Sequence, residues 1–190
     1  DHGGMKRVFD IFFSCLAGLV LFVPVLLVAI AVRFTSKGPA LYWSDRVGRN
    51  NVIFKMPKFR SMRVGTPQVA THLMLDARSY LTPIGSFLRK SSLDELPQLW
   101  SVLKGDMSLV GPRPALFNQD NLIILRKERG VDKLKPGITG WAQVNGRDEL
   151  SISDKVALDV EYLNRQSFWF DMKILLMTFL KVVSRDGVNH

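Results

Sequence analysis

Between Ile11 and Val32 the chain runs 22 residues without a charge, IFFSCLAGLVLFVPVLLVAIAV. No other feature restricts the fold as much. As a straight helix at ~1.5 Å per residue this run would measure roughly 33 Å, enough to cross the hydrocarbon core of a bilayer. No small-residue cleavage site follows it to mark a signal peptide; Arg33 comes next. Pro24 lies just past its middle, where a missing N–H and a ring clash with the preceding turn should bend or break a helix. Lys6 and Arg7 precede the run, and Arg33 and Lys37 follow it. Basic residues favour the cytoplasmic face, so charge at both ends favours a segment that enters the membrane, turns at Pro24 and returns. A straight span stays open, at the expense of carrying one basic end across.

The rest of the 190 residues suffices for one compact domain. Asp1-His2-Gly3-Gly4 precede Met5 and read as a cloning remnant, which gives an expected division into 1–4, a membrane helix over 5–34, and a domain on the cytoplasmic face over 35–190. Short extended segments at Pro39–Trp43 and Val52–Phe54 predict a hairpin turning at Gly48–Asn51. Thr66–Tyr80 reads as a surface loop with a short helix. Thr82 and Pro83 predict the start of a helix reaching Arg89, and Leu96–Leu103 predicts another. Glycines and prolines from Gly105 to Gly146 signal turns, interrupted by a helix over Asn118–Arg129. Ser153–Asn164 reads as a polar helix with an acidic stripe. In the second apolar stretch, Phe168–Val183, Asp171, Lys173 and Lys181 argue against spanning, so it should pack on the core or lie in the membrane interface. The fold class expected is α/β, mostly helical with a small sheet.

The chain carries 26 Lys plus Arg against 17 Asp plus Glu, a net charge of +9 that suits an anionic partner. Against that excess, the adjacent acids Asp94 and Glu95 stand out in SSLDELPQLW. Pro97 belongs in a helix's first turn, so Asp94 could cap that helix, or Ser92 and Glu95 could form a capping box. Either arrangement would hold both carboxylates near a positive helix end, keeping Asp94 ionised at low pKa. An ionised aspartate can attack phosphorus, and a second carboxylate can help hold Mg²⁺ together with substrate phosphates. Lys55, Lys58, Arg60, Arg63, Arg89 and Lys90 could be an ordinary solvated face or could neutralise a diphosphate. Arg113, fixed between two prolines, loses little freedom on binding an anion. Gln143, Asn145 and Arg147 form a polar cluster on a glycine-flexed turn. Cys15 is the single cysteine and forms no internal disulfide; His2, His72 and His190 have no metal-ligand spacing. GxxxxGK[ST], GxGxxG and GxSxG are absent from the sequence.

KRVFD, KFRSM, LRKSSLDELPQLWSVLKGDMSLVGPRP, KPGITGWAQVNGR and DVEYL together resemble the bacterial monotopic phosphoglycosyl transferases, over about Lys6 to Gly187. The resemblance implies a re-entrant membrane helix and interface-lying amphipathic helices around a small catalytic core, at the cytoplasmic face of the bacterial inner membrane. It implies transfer of a sugar-1-phosphate from a UDP-sugar to a polyprenyl phosphate, releasing UMP. Asp94 would be the covalent nucleophile, Asp94 and Glu95 the ligands of Mg²⁺, and Lys58, Arg89, Arg113, Gln143, Asn145 and Arg147 the groups that bind phosphate or nucleotide, with Arg60 added to them from the basic run. Membrane lipid would be a partner and nucleic acid would not; pairing into a homodimer stays open. The family often carries Ser-Pro at the helix break. Val23-Pro24 stands here instead, so no serine hydroxyl can accept or donate at that point. Without the extra N-terminal membrane helices that larger relatives carry, the chain would be expected to be a minimal catalytic form. A different class, a basic membrane-surface module that binds anionic lipid or nucleic acid without chemistry, would share the charge and the apolar helices but would have no use for the acid pair.

Overall fold

The computed structural model describes residues 2–68, 74, 76–146 and 150–188. It is mostly helical with a small sheet. Two helices open the chain, α1 (His2–Val20) and α2 (Phe22–Thr35), bent 65° from one another. Among the described residues no single helix is long and apolar enough to cross a membrane; this bent pair passes that test together, by length and composition only. The bend falls at Leu21, three residues before Pro24. Hydrogen bonding runs from Leu21 N to Ala17 O at 2.9 Å and from Val25 N to Leu21 O at 2.9 Å. Pro24 thus occupies the first turn of α2, where a missing N–H is harmless, and its ring would meet the carbonyl of Val20 if α1 continued straight.

Lys6 and Arg7 turn inward. Lys6 Nζ donates to Asp171 Oδ2 at 2.6 Å, to the Tyr162 hydroxyl and to Val110 O, both at 3.1 Å. Arg7 donates to the carbonyls of Val102 and Leu103 in the last turn of α4 (Gln98–Lys104), capping that helix. Asp10 accepts from Ser108 Oγ at 2.8 Å. The KRVFD stretch therefore latches α1 onto the rest of the chain, and its two cations are not the free flanking charges of the topology argument. The opposite face of α1 and α2 exposes Val8, Phe12, Leu19, Phe22, Leu26 and Phe34.

Strands β1 (Leu41–Val47) and β2 (Ile53–Phe59) pair antiparallel, with Val47 opposite Ile53 and Leu41 opposite Phe59. The hairpin exists as expected but is longer, and β2 runs on through the basic segment. The sheet order β2-β1-β4, with β4 at Ala115–Leu116, leaves β2 on an edge, where Pro57 is tolerated. A second sheet pairs β3 (Ser108–Val110) parallel to β5 (Gly137–Thr139), in a region that the sequence marked only as turns. Helices α3 (Gly85–Ser91), α5 (Asp120–Glu128), α7 (Ile152–Arg165) and α8 (Phe168–Val188) fall where helices were expected, and a short α6 (Trp141–Val144) adds to them. Thr82 does not cap α3. Its hydroxyl donates to Ser61 O at 3.3 Å, and Ile84 occupies the cap position. Phe9, Met56, Val102, Val110, Tyr162 and Ile174 make the largest core, joining α1 and α8 to both sheets. In a second core Val28 and Val32 of α2 pack with Phe59 and Leu88, flanked by Leu93 and Leu96.

Candidate functional site

Leu93 and Leu96 bracket the acid pair, and both press on the core that α2 helps build. They pin a 3₁₀ turn, Leu93–Glu95, entered through Ser92 at a φ of 59°. Asp94 is left 4% exposed. Neither expected capping arrangement forms. Pro97 takes the cap position of α4 with no side-chain bond, and Ser92 makes no side-chain cap bond to the turn it opens, where Glu95 N donates to Ser92 O at 3.2 Å. With proline at the cap, the Asp94 carboxylate is turned instead to Lys58 of β2, whose Nζ lies 3.8 Å from Asp94 Oδ2. Arg113 Nη1 lies 3.6 Å from Glu95 Oε1. Arg89 Nε donates to Ser61 Oγ at 2.9 Å. That bond depends on close backbone packing, because a Cβ on Gly85 would fall 2.1 Å from Ser61 O.

Burial sets the electrostatics. It raises the Asp94 carboxyl above the usual range, opposed by Lys58, which corrects the low pKa expected from a helix N-terminus. Burial lowers Lys58 to about 8, against the pull of Glu95 and Asp94. Arg89 is lowered by burial and supported by Asp94.

Lys58, Arg89 and Arg113 line a cavity of about 610 Å³ between the β2-β1-β4 sheet, α5 and α7. Arg46, Arg60, Arg63, Arg126 and Lys155 also line it, and no acidic side chain does so among the described residues. Much of the chain's positive excess thus faces one concavity beside the acid pair. Arg60 reaches it but is committed elsewhere: Nε donates to Pro39 O at 2.9 Å and Nη2 to Ser36 Oγ at 2.7 Å, tying the exit of α2 to β2. Gln143 and Asn145 sit on α6 and just after it, off the cavity wall; Gln143 is buried and Asn145 Nδ2 donates to Trp141 O at 2.8 Å. Arg147 lies outside the described residues. Arg46 and Arg126 were missed by sequence reasoning. Tyr42, Ser44 and Arg46 share one face of β1 by its two-residue period and all line the cavity; ending the strand at Trp43 hid that face. No comparable signal marks Arg126, inside a polar helix.

Among the described residues no three His, Cys, Asp or Glu side chains gather as a metal site. Two adjacent carboxylates remain within what Mg²⁺ uses when phosphate oxygens complete its shell, so the donor set fits that ion.

Buried Asp94 and partly buried Glu95 thus lie beside a cationic cavity, on a core that packs against a bent apolar helix pair. Residues 2–185 match the bacterial sugar transferase family, and the chain belongs to it. It is 40% identical over 190 residues to the uncharacterized sugar transferase EpsL of Bacillus subtilis, covering 98% of this chain and 91% of EpsL. It is 40% identical over 195 residues to galactosyl transferase CpsE of Streptococcus agalactiae, covering 96% of this chain and 43% of CpsE. It is 40% identical over 185 residues to the UDP-glucose:undecaprenyl-phosphate glucose-1-phosphate transferase of Escherichia coli, covering 93% and 40%. The chain spans less than half the length of these last two relatives.

Proposed function

We propose that the protein is a phosphoglycosyl transferase that moves a sugar-1-phosphate from a UDP-sugar to a polyprenyl phosphate. The observation that carries this reading is the acid pair of buried Asp94 and partly buried Glu95, faced by Lys58 and Arg113, whose side chains also line the cationic cavity. A pure anion binder would gain nothing from acids there. The diphosphate lies among Lys58, Arg89 and Arg113, which bind it and offset its charge. Asp94 Oδ attacks the phosphorus that bears the sugar; the bond to UMP breaks and UMP leaves with the electron pair. An oxygen of the lipid phosphate then attacks the same phosphorus and restores the Asp94 carboxylate. Burial raises the Asp94 carboxyl, and Lys58 is the strongest of the cations that oppose this, ahead of Arg89 and Arg113. Asp94 and Glu95 would hold Mg²⁺, which when bound supplies further neutralisation of phosphate charge.

The bent pair α1–α2 is re-entrant in this reading, with its exposed apolar face in lipid and both ends at the cytoplasmic face of the inner membrane. Exposed Phe87, Trp100, Trp169 and Phe179 lie on α3, α4 and α8 and suit headgroup depth. The decisive experiment gives the protein UDP-glucose or UDP-galactose with undecaprenyl phosphate and assays UMP. Sugar nucleotide alone should add one phosphosugar to the peptide containing Asp94, and Asp94→Asn should abolish both adduct and turnover. UMP release by Asp94→Asn at the wild-type rate would remove Asp94 from the chemistry.

A further inference from the structure

The two prolines around Arg113 restrict its backbone, but they do not decide where the loop sits. Two arginines from other elements do, Arg126 buried and Arg46 partly buried. Arg126 of α5 donates through Nη1 to the Arg113 carbonyl at 2.6 Å. Arg46 of β1 donates through Nη1 to the next carbonyl, that of Pro114, at 3.1 Å. Each arginine is itself held. Arg126 Nε donates to Asp159 Oδ2 of α7 at 3.0 Å, with Asp159 only 2% exposed. Arg46 Nε donates to Ser44 Oγ at 2.9 Å. The loop is also packed from behind, since a Cβ on Gly140 would fall 2.1 Å from Gly111 O.

An ion pair buried between α5 and α7 is a costly way to join two helices, and apolar side chains would do as well. What apolar side chains cannot supply is a charged donor at the Arg113 carbonyl. Such donors make short, strong hydrogen bonds with fixed direction.

We propose that Arg126, oriented by Asp159, is a positioning residue. With Arg46 as the second jaw, it fixes the Arg113–Pro114 backbone so that the Arg113 guanidinium stays at Glu95 and over the cavity. This rests on the reading of Arg113 as a cation that neutralises the transferring phosphate. Arg126 acts through Arg113 and needs no contact with substrate.

A double-mutant cycle on the full chain tests it, with UMP release from UDP-glucose or UDP-galactose and undecaprenyl phosphate as the assay. Arg126→Met alone strands a buried Asp159, so the pair is removed together as Arg126→Met/Asp159→Leu. This variant should melt near the wild-type temperature, yet lose about tenfold to a hundredfold in kcat with a smaller change in KM. In an Arg113→Ala background the same double substitution should cost less than about twofold more, because residues that act as one unit are non-additive. An additive loss would make Arg126 a direct substrate contact and overturn the proposal. Full kcat in Arg126→Met/Asp159→Leu would make the pair a helix tie only. Should the wild type release no UMP with either nucleotide, the functional reading fails. The clamp is then judged by phenylglyoxal labelling and peptide mass spectrometry. Arg113 should react faster in Arg126→Met/Asp159→Leu than in the wild type, with half-exposed Arg165 as internal control; equal rates overturn the clamp.

Discussion

Raising the pH from 7 to 9.5 should extinguish activity by removing one proton, that of Lys58. Its ammonium is lowered from 10.5 to about 8 by burial. At pH 8 about half the free enzyme should carry that charge, and each further unit should cost about tenfold in kcat/KM. Stability moves the other way. Between about 8 and 10.5 the unfolded chain binds the Lys58 proton and the folded chain does not, so this group adds stability as pH rises, about 3 kcal/mol by the end of that window. Falling activity with non-falling stability separates titration of the site from unfolding. The assay is kcat/KM for the UDP-sugar from pH 6 to 10 beside thermal melting at each pH. Lys58→Arg keeps a cation that does not titrate in this range, so any activity it retains should lose the alkaline limb. A limb unchanged in Lys58→Arg, or wild-type activity flat to pH 9.5, would refute the assignment of Lys58 as the titrating cation that serves Asp94.

Chelation by EDTA should abolish UMP release and added Mg²⁺ should restore it; full turnover in EDTA would exclude a metal role for the acid pair. Lys6→Met should lower stability by about 3–5 kcal/mol, because the buried Asp171 charge loses its cation and keeps the neutral Tyr162 hydroxyl as its side-chain partner, and Lys6→Met/Asp171→Leu should recover most of the loss in denaturant melts. Pro24→Ala should shift residue 37 toward the outer face in cysteine-accessibility labelling, since a bend penalty of ~3 kcal/mol against a straight helix is relieved; unchanged labelling would show that packing of α2 on Phe59 and Leu88, rather than proline, holds the bend.

The helices and the hairpin were legible because each is written in a local period or a turn signal. The acid pair was legible because two adjacent carboxylates in an apolar setting inside a basic chain are conspicuous. Its environment was not. Whether Asp94 caps a helix or faces Lys58 depends on Pro97 taking the cap position and on Leu93 and Leu96 packing under it, and neither is visible in SSLDELPQLW. The short strands β3 and β5 were hidden for a related reason. Ser108–Val110 and Gly137–Thr139 are three residues each, too short to show a period, and exist because Gly111, Gly137 and Gly140 allow backbones within reach of one another. Lys6 and Arg7 read as membrane-flanking charges because sequence gives position along the chain, not direction around a helix.

That inward direction bears on how the apolar helices and the acid pair are coupled. Arg7 ends α4 at its carbonyl terminus, and the Asp94 turn sits at the other end of the same helix, only seven residues long. Val28 and Val32 of α2 press on the core flanked by Leu93 and Leu96, while Arg60 ties the exit of α2 at Ser36 to the strand that carries Lys58. Both arms of the bent pair therefore meet the same short helix and turn, one at each end. If α1 and α2 rest in lipid, the depth of Asp94 below the headgroups is set by rigid contacts rather than by a linker. In the proposed reaction a lipid phosphate and a buried aspartate can meet only when that depth is fixed, and the 65° bend would then serve the reaction as well as attachment.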